Sequence, residues 1–493
     1  MIVLFAALAP LGVLPADGSE LRRLPPVEPA PVDIGAASWD GGVASLASEA
    51  ATPATTTPVP PEAAATPVQL ANFQAGPVEF GYEPPDFETG VQFNKGLFIK
   101  ARDLDENPFS MYVGGRMQLR HIGFARDEET WTDNAGVTRP IRNRNQFDME
   151  RARINFSGNA ISPDMTYLFI LDMDGDGGSI TDGLAYFFQY EVNPALKIRM
   201  GRWKAAAHRE WLLSSRYLTL SDRSMATEFF RVGFSDGVWL IGDFTLFDRC
   251  DDRRPLHYEM SLTNGVRTSS RRALLLDDNL GAAATLYWDG GGKYGAGAPD
   301  FLYHKEPVFR LGCSVAHDKS DDRSDAGTTF ALGDDNFVRL SDGTRLADVG
   351  SLAPGVQLLG DRVFLAAVDF GFKYRGWSAS CEYFIRELYD FVADGPLPVG
   401  SLYSYGYHAH VGKFITPQRW DVNFRMSEIS GFLGSGFEYS LGTTYYFGGD
   451  RDQVNKLNFD VTNVVQSPIN SGLADILAGD DGILFRTQVQ IGF

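Results

Sequence analysis

Cysteine is nearly absent: 493 residues contain three, Cys250, Cys313 and Cys381. They are far apart and odd in number, without metal-type or redox-type spacing, which gives no reason to expect a disulfide framework and reads as small apolar strand residues. Positive charge is also scarce, with 44 Lys+Arg against 63 Asp+Glu and a net charge of −19. Nucleic acid is therefore excluded as a partner, because phosphate binding needs a basic footprint. After the N-terminal region no helical stretch of 18 apolar residues occurs. A membrane location then requires a closed barrel, since only helices and barrels satisfy every backbone group in lipid. No nucleophile elbow, phosphate loop or zinc motif is found, so neither an enzyme nor a cofactor is expected.

Aromatics are abundant, at 13% of residues, and suit strands and membrane girdles. Residues 1–16 open on the apolar run Met1–Leu14 and are read as a secretory signal. Residues 17–90, rich in Pro, Ala and Thr, cannot bury a core and are read as a disordered linker. Residues 91–493 are read as an all-β, transmembrane antiparallel β-barrel of about 16 strands.

The barrel reading rests on segments of about ten residues with period-two alternation. Phe485, Thr487, Val489, Ile491 and Phe493 oppose Arg486, Gln488 and Gln490. Tyr403, Tyr405, Tyr407, Ala409 and Val411 oppose Ser404, Gly406, His408 and His410. Similar faces run from Phe364 to Tyr374 and from Phe437 to Phe447. Charges recur on the polar face and aromatics on the apolar one, as expected for water inside and lipid outside. Strands are expected to begin near residues 109, 147, 164, 183, 196, 236, 255, 280, 307, 362, 377, 402, 419, 436, 455 and 483. Short connections should alternate with long ones. The Gly-rich segment at about 289–306 is too long for its place in that scheme.

The third long loop, about 205–235, is expected to narrow the lumen. With Lys204 it carries Lys204, Arg209, Arg216, Arg223 and Arg231 against Glu210, Asp222 and Glu228. Parity also turns Arg116, Arg120, Arg151, Arg153, Lys197, Arg199, Arg310, Lys373, Arg375, Arg386, Arg425 and Arg486 inward. The inward acids are Asp172, Glu191, Asp243, Glu259, Asp369, Glu382, Asp421, Glu438 and Asp460. Wall charge can set ion preference despite the net charge of the chain, although arginines also brace barrel walls.

Met200-Gly201-Arg202-Trp203-Lys204, Ser214-Ser215-Arg216-Tyr217-Leu218 and Asp222-Arg223-Ser224 resemble the constriction-loop region of the phosphate-selective porin O and P family. Glu150-Arg151-Ala152-Arg153 resembles its second-strand arginine motif, and Leu484 to Phe493 its terminal strand. The resemblance covers roughly 93–493. It implies a homotrimer in the outer membrane that conducts small anions, phosphate among them. Lys204 and Arg223 match constriction-loop positions and Arg151 and Arg153 the wall motif. Glu150 stands where the family often has a further arginine.

The expected function is passive diffusion of small hydrophilic solutes with modest anion preference. The pore and anion-binding candidates are Lys204, Arg209, Arg216, Arg223, Arg151, Arg153, Arg116 and Arg120. The alternatives are a non-conducting structural or adhesive barrel and an outer-membrane lipase. The lipase would need a Ser–His pair on the outward face, whereas parity turns His408 and His410 inward. Asp172, Asp174 and Asp176 are spaced like a calcium loop, but the required twelfth-position glutamate is replaced by Gly183, so no metal is expected.

Overall fold

A computed structural model describes residues 87–92, 96–103, 107–173, 182–244, 256–267, 278–320, 338–449, 452–471 and 474–493. All belong to the compact unit Thr66–Phe493; the other unit, Met1–Ala65, lies outside the described residues. So do the signal and most of the linker expected from the sequence, and Cys250, Asp174 and Asp176.

Among the described residues, sixteen antiparallel strands close into one barrel. In chain order they are β3 (Ser110–Arg126), β6 (Arg144–Ala160), β7 (Ser162–Asp172), β8 (Asp182–Asn193), β9 (Leu196–Lys204) and β10 (Phe234–Phe244). There follow β11 (Leu256–Thr263), β12 (Gly281–Gly290), β13 (Val308–Ser320), β14 (Leu358–Tyr374) and β15 (Trp377–Ala393). The last are β16 (Ser401–Thr416), β17 (Trp420–Gly431), β18 (Gly434–Tyr446), β19 (Lys456–Val465) and β20 (Gly482–Gly492). Each pairs with the next, and β20 returns to β3, from Gly482 opposite Arg126 to Gly492 opposite Arg116. Closure leaves the ring without an edge, as lipid requires. The strands begin close to the expected positions, because alternation is a local property that the chain displays before it folds.

Alternation also sorts the two faces. Tyr403, Leu441, Phe485 and Phe493 are exposed on the outside, whereas Ser404, Ser440 and Arg486 are buried inside. An apolar exterior around a polar interior, in a closed antiparallel ring, makes this an outer-membrane β-barrel. No helix among the described residues is long and apolar enough to cross a membrane. One residue departs from its expected face. Arg375 is not in the wall; it is exposed at the tight β14–β15 turn, with φ 45°.

Two hairpins lie outside the ring. The first pairs β1 (Phe87–Gln92) with β2 (Gly96–Ala101). Its β2 adds to β3 from Leu97 opposite Val113 to Lys100 opposite Ser110, just beyond the end of β20. The second, β4 (Thr130–Thr132) with β5 (Thr138–Pro140), sits in the first long loop.

The overlong Gly-rich segment, 291–307, folds back into the lumen. Tyr294, Asp300 and Phe301 are buried there. Lys373 on β14 donates to the carbonyls of Tyr294 (3.3 Å) and Gly297 (2.9 Å). Gly297, at φ 82°, lies against Tyr217 of the third long loop. Its length therefore supplies a lumenal insertion rather than a long external crossing.

Candidate functional site: the lumen and its inserted loop

The third long loop, 205–233, starts with Ala205-Ala206-Ala207, all fully buried. It then makes a helical turn, Arg209–Leu212, a 3-10 turn, Ser215–Tyr217, and a short helix, Met225–Phe230. Ser224 caps that helix by accepting the Thr227 amide, as serine does at N-caps. Trp211, Met225, Phe229 and Phe230 pack inward against wall residues that include Phe384, Trp239 and Ile429. Phe230 stacks on Phe384 at 5.1 Å. The wall is cut to receive the loop. A Cβ on Gly406 of β16 would meet the Phe230 ring at 2.7 Å, and one on Gly442 of β18 would strike Leu220.

Three wall carboxylates hold the loop's backbone. Glu382 on β15 accepts the amides of Arg209 (2.5 Å) and Glu210 (3.0 Å) at the start of the helical turn. Glu438 on β18 accepts the Met225 amide at 2.6 Å, at the start of the helix. Asp460 on β19 accepts the Ser221 amide at 3.0 Å and also its hydroxyl. Such amides have no intrahelical acceptor, so anionic acceptors at helix starts are favourable. The sequence placed these acids inward by parity but carried no signal of what they would bind.

The candidate cations divide by partner. Arg120 contacts Asp475 (2.6 Å), Glu150 (3.1 Å) and Asp222 (3.3 Å), all buried. Arg151 also reaches Asp222, at 2.8 Å, and Arg153 reaches Asp172 at 2.6 Å. Arg209 lies 3.4 Å from Asp369 and donates to the Tyr294 hydroxyl at 2.9 Å. Lys204 donates to the carbonyls of Trp211 (2.5 Å) and Leu213 (3.4 Å), inside the loop. Arg223 donates to the carbonyls of Glu210 (3.1 Å) and Leu213 (2.8 Å). These groups brace the loop and its wall.

Arg116 and Arg216 differ. Arg116 is buried, donates to the Ser215 hydroxyl at 3.0 Å, and leaves Nη1 without a partner. The Arg216 backbone is pinned, its carbonyl accepting from Lys456 (3.0 Å) and Gln490 (3.2 Å). Its half-buried guanidinium has no ion pair among the described residues.

Burial pushes the carboxyls of Glu210 and Asp222, both on the loop, upward, but their neighbours pull harder. His408, Arg425 and the Thr227 and Ser224 hydroxyls hold Glu210 below the ordinary carboxylate range. Arg151, Arg120 and Arg223 do the same for Asp222. Opposite charges and hydrogen bonds to the ionised form outweigh desolvation here.

Two lumenal spaces flank the loop. One, of about 500 Å³ including open solvent, is lined by groups of both signs: Arg209 and Arg425 with Glu210, Asp222 and Glu382, beside His408 and His410. The two histidines do not converge. His408 Nε2 lies 3.2 Å from Glu382, and His410 Nε2 lies 3.1 Å from the Thr219 hydroxyl. Both are buried inside the barrel. The other space, of about 750 Å³ including open solvent, is lined by Arg216, Asn155, Ser157, Asn159, Thr166, Tyr112 and Tyr167, with glycines and the chain terminus at Phe493. Apart from that terminus its lining has no carboxylate. No group of three metal-type ligands occurs among the described residues, and Asp172 is engaged by Arg153.

No family model matches the chain, and no curated protein matches it. Among solved structures it is similar to an anion-selective porin from Comamonas acidovorans, at 10% identity, covering 78% of this chain and 99% of that one, with a TM-score of 0.46. It is also similar to the trimer form of OmpT, an outer-membrane protein of Vibrio cholerae (10% identity, 78% and 99%, TM-score 0.44). A third is Salmonella typhi OmpF in complex with daunomycin (12%, 78% and 98%, TM-score 0.43).

Proposed function

We propose that this chain is a passive outer-membrane porin for small hydrophilic solutes, with a modest preference for anions, acting as a homotrimer without catalysis or cofactor. The observation that carries the preference is the split among lumenal charges. The wall acids Glu382, Glu438 and Asp460 are occupied by loop amides, and Asp172 and Asp369 by arginines, whereas Arg216 faces an open space with its guanidinium uncommitted. A guanidinium beside low-dielectric walls attracts anions, and a single site of this kind holds them weakly enough to release. The motifs that resemble those of the phosphate-selective porin O and P family support phosphate as one of those anions.

The test is reversal potential across a planar bilayer in a salt gradient, with phosphate as competitor. The wild type should favour anions, and Arg216→Glu should shift the potential toward cations. A cation-selective wild type, or an Arg216→Glu pore of unchanged selectivity, would sink the reading. Crowding of the lumen by 205–233 and 291–307 favours a second reading, a non-conducting structural barrel. Steady single-channel steps separate the two, since a closed barrel produces none.

A further inference from the structure

We infer that the space beside Arg216 is a binding site for hydroxylated organic monoanions of the sugar-acid type. The inference rests on the porin reading and specifies its solute. Cation and neutral polar groups meet there from separate elements. Arg216 comes from the inserted loop, Asn155 and Ser157 from β6, and Thr166 from β7. Arg116 stands behind them on β3, opposite Arg153 in register, with its buried Nη1 unpartnered.

The choice of solute follows from what the lining still needs. Neither Asn155 nor Ser157 has a side-chain partner among the described residues, and Asn155 has two donors and an acceptor oxygen. Chloride supplies acceptor character only. Such an ion serves Arg216 and leaves the oxygens of Asn155 and Ser157 facing the solute without a donor. A neutral polyol serves the amide and hydroxyls but offers the guanidinium no opposite charge. A sugar acid presents a carboxylate for Arg216 through charge-assisted bonds, and hydroxyls that both donate and accept. The mixed-charge space on the other side of the loop does not fit such a solute, because Glu210, Asp222 and Glu382 line it.

Three six-carbon probes separate the terms: gluconate has charge and hydroxyls, hexanoate charge alone, and sorbitol hydroxyls alone. Half-blocking concentrations for chloride current through single channels are the readout. Gluconate should block at a concentration about tenfold lower than either other probe, as two further modest hydrogen bonds would give. Asn155→Ala and Ser157→Ala should bring gluconate toward hexanoate, and Arg216→Gln should bring it toward sorbitol. None of the three side chains carries a structural bond that its substitution would break, so folded protein is expected. Equal block by gluconate and hexanoate overturns the site while leaving the porin in place. If no channel steps occur, the porin reading fails, and calorimetric titration of the solubilised barrel decides the site alone. Gluconate heat that disappears in Arg216→Gln then supports the site, and no gluconate heat overturns it.

Discussion

Lys204 shows how far a side chain's role depends on its neighbours. On the sequence it belongs with Arg223 among the residues expected to meet the permeating ion. In the fold its ammonium is buried against two carbonyls of its own loop and lies 4.8 Å from the Trp211 ring centre. Lys204→Glu should therefore act mainly on stability, by about 3–5 kcal/mol, because it sets an unpaired buried charge against carbonyl oxygens. The check is the temperature at which the detergent-solubilised barrel loses its heat-modifiable gel shift. A variant as stable as the wild type, altered only in selectivity, would return Lys204 to the ion path. Arg216 is the opposite case, with a fixed backbone and an uncommitted head, which is why the selectivity test is placed there.

The inserted loop is the element on which the lumen depends, and it is held by contacts of two kinds. Apolar seating is tested by Gly406→Leu, which would drive a side chain into Phe230 and the Glu428 carbonyl. It should unseat the loop and enlarge single-channel conductance; unchanged conductance would show that the loop is not the constriction. Ionic seating has a definite pH sign. Glu210 and Asp222 are held below the ordinary carboxylate range in the folded loop. A carboxyl depressed in this way stabilises the fold above its unfolded value and loses that contribution as pH falls through the folded one. Thermal stability should thus be level through neutral pH and fall only below about pH 4, near the unfolded carboxylate value. Thermal stability that stays unchanged down to about pH 3 would show that these two carboxylates do not seat the loop.

At the scale of the whole molecule, closure depends on the seam between the last strand and the first of the ring. Phe493 donates its amide to the Gly115 carbonyl (3.1 Å) and accepts the Gly115 amide (3.0 Å), while its ring lies over Gly115. Deleting Phe493 should lower the yield of folded barrel in the outer membrane, and an unchanged yield would show that the seam tolerates its loss. Removing the Pro/Ala/Thr-rich residues 17–86 should leave conductance as it was, because their composition supports no packed core.

The sequence alone determined the number of strands in the ring, their positions within a few residues, which face met lipid, and which connection was the long third loop. All of these follow from alternation with a period of two residues and from turn-forming segments, both readable within ten or twenty residues. It missed the β1–β2 and β4–β5 hairpins, whose strands of three to six residues are too short to show a period. It also left the Gly-rich 291–307 segment without a place, and it put Arg375 in the wall when the strand had already turned. What only the tertiary structure decided is which lumenal charges are committed. Arg120 finds Asp475, and Met225 finds Glu438, across separations of 355 and 213 residues. Such pairs exist only once the ring has closed and the loop has entered it. Strand parity can turn an acid inward, but whether it meets a guanidinium, a backbone amide or water is set by barrel curvature and loop path, which no local pattern encodes.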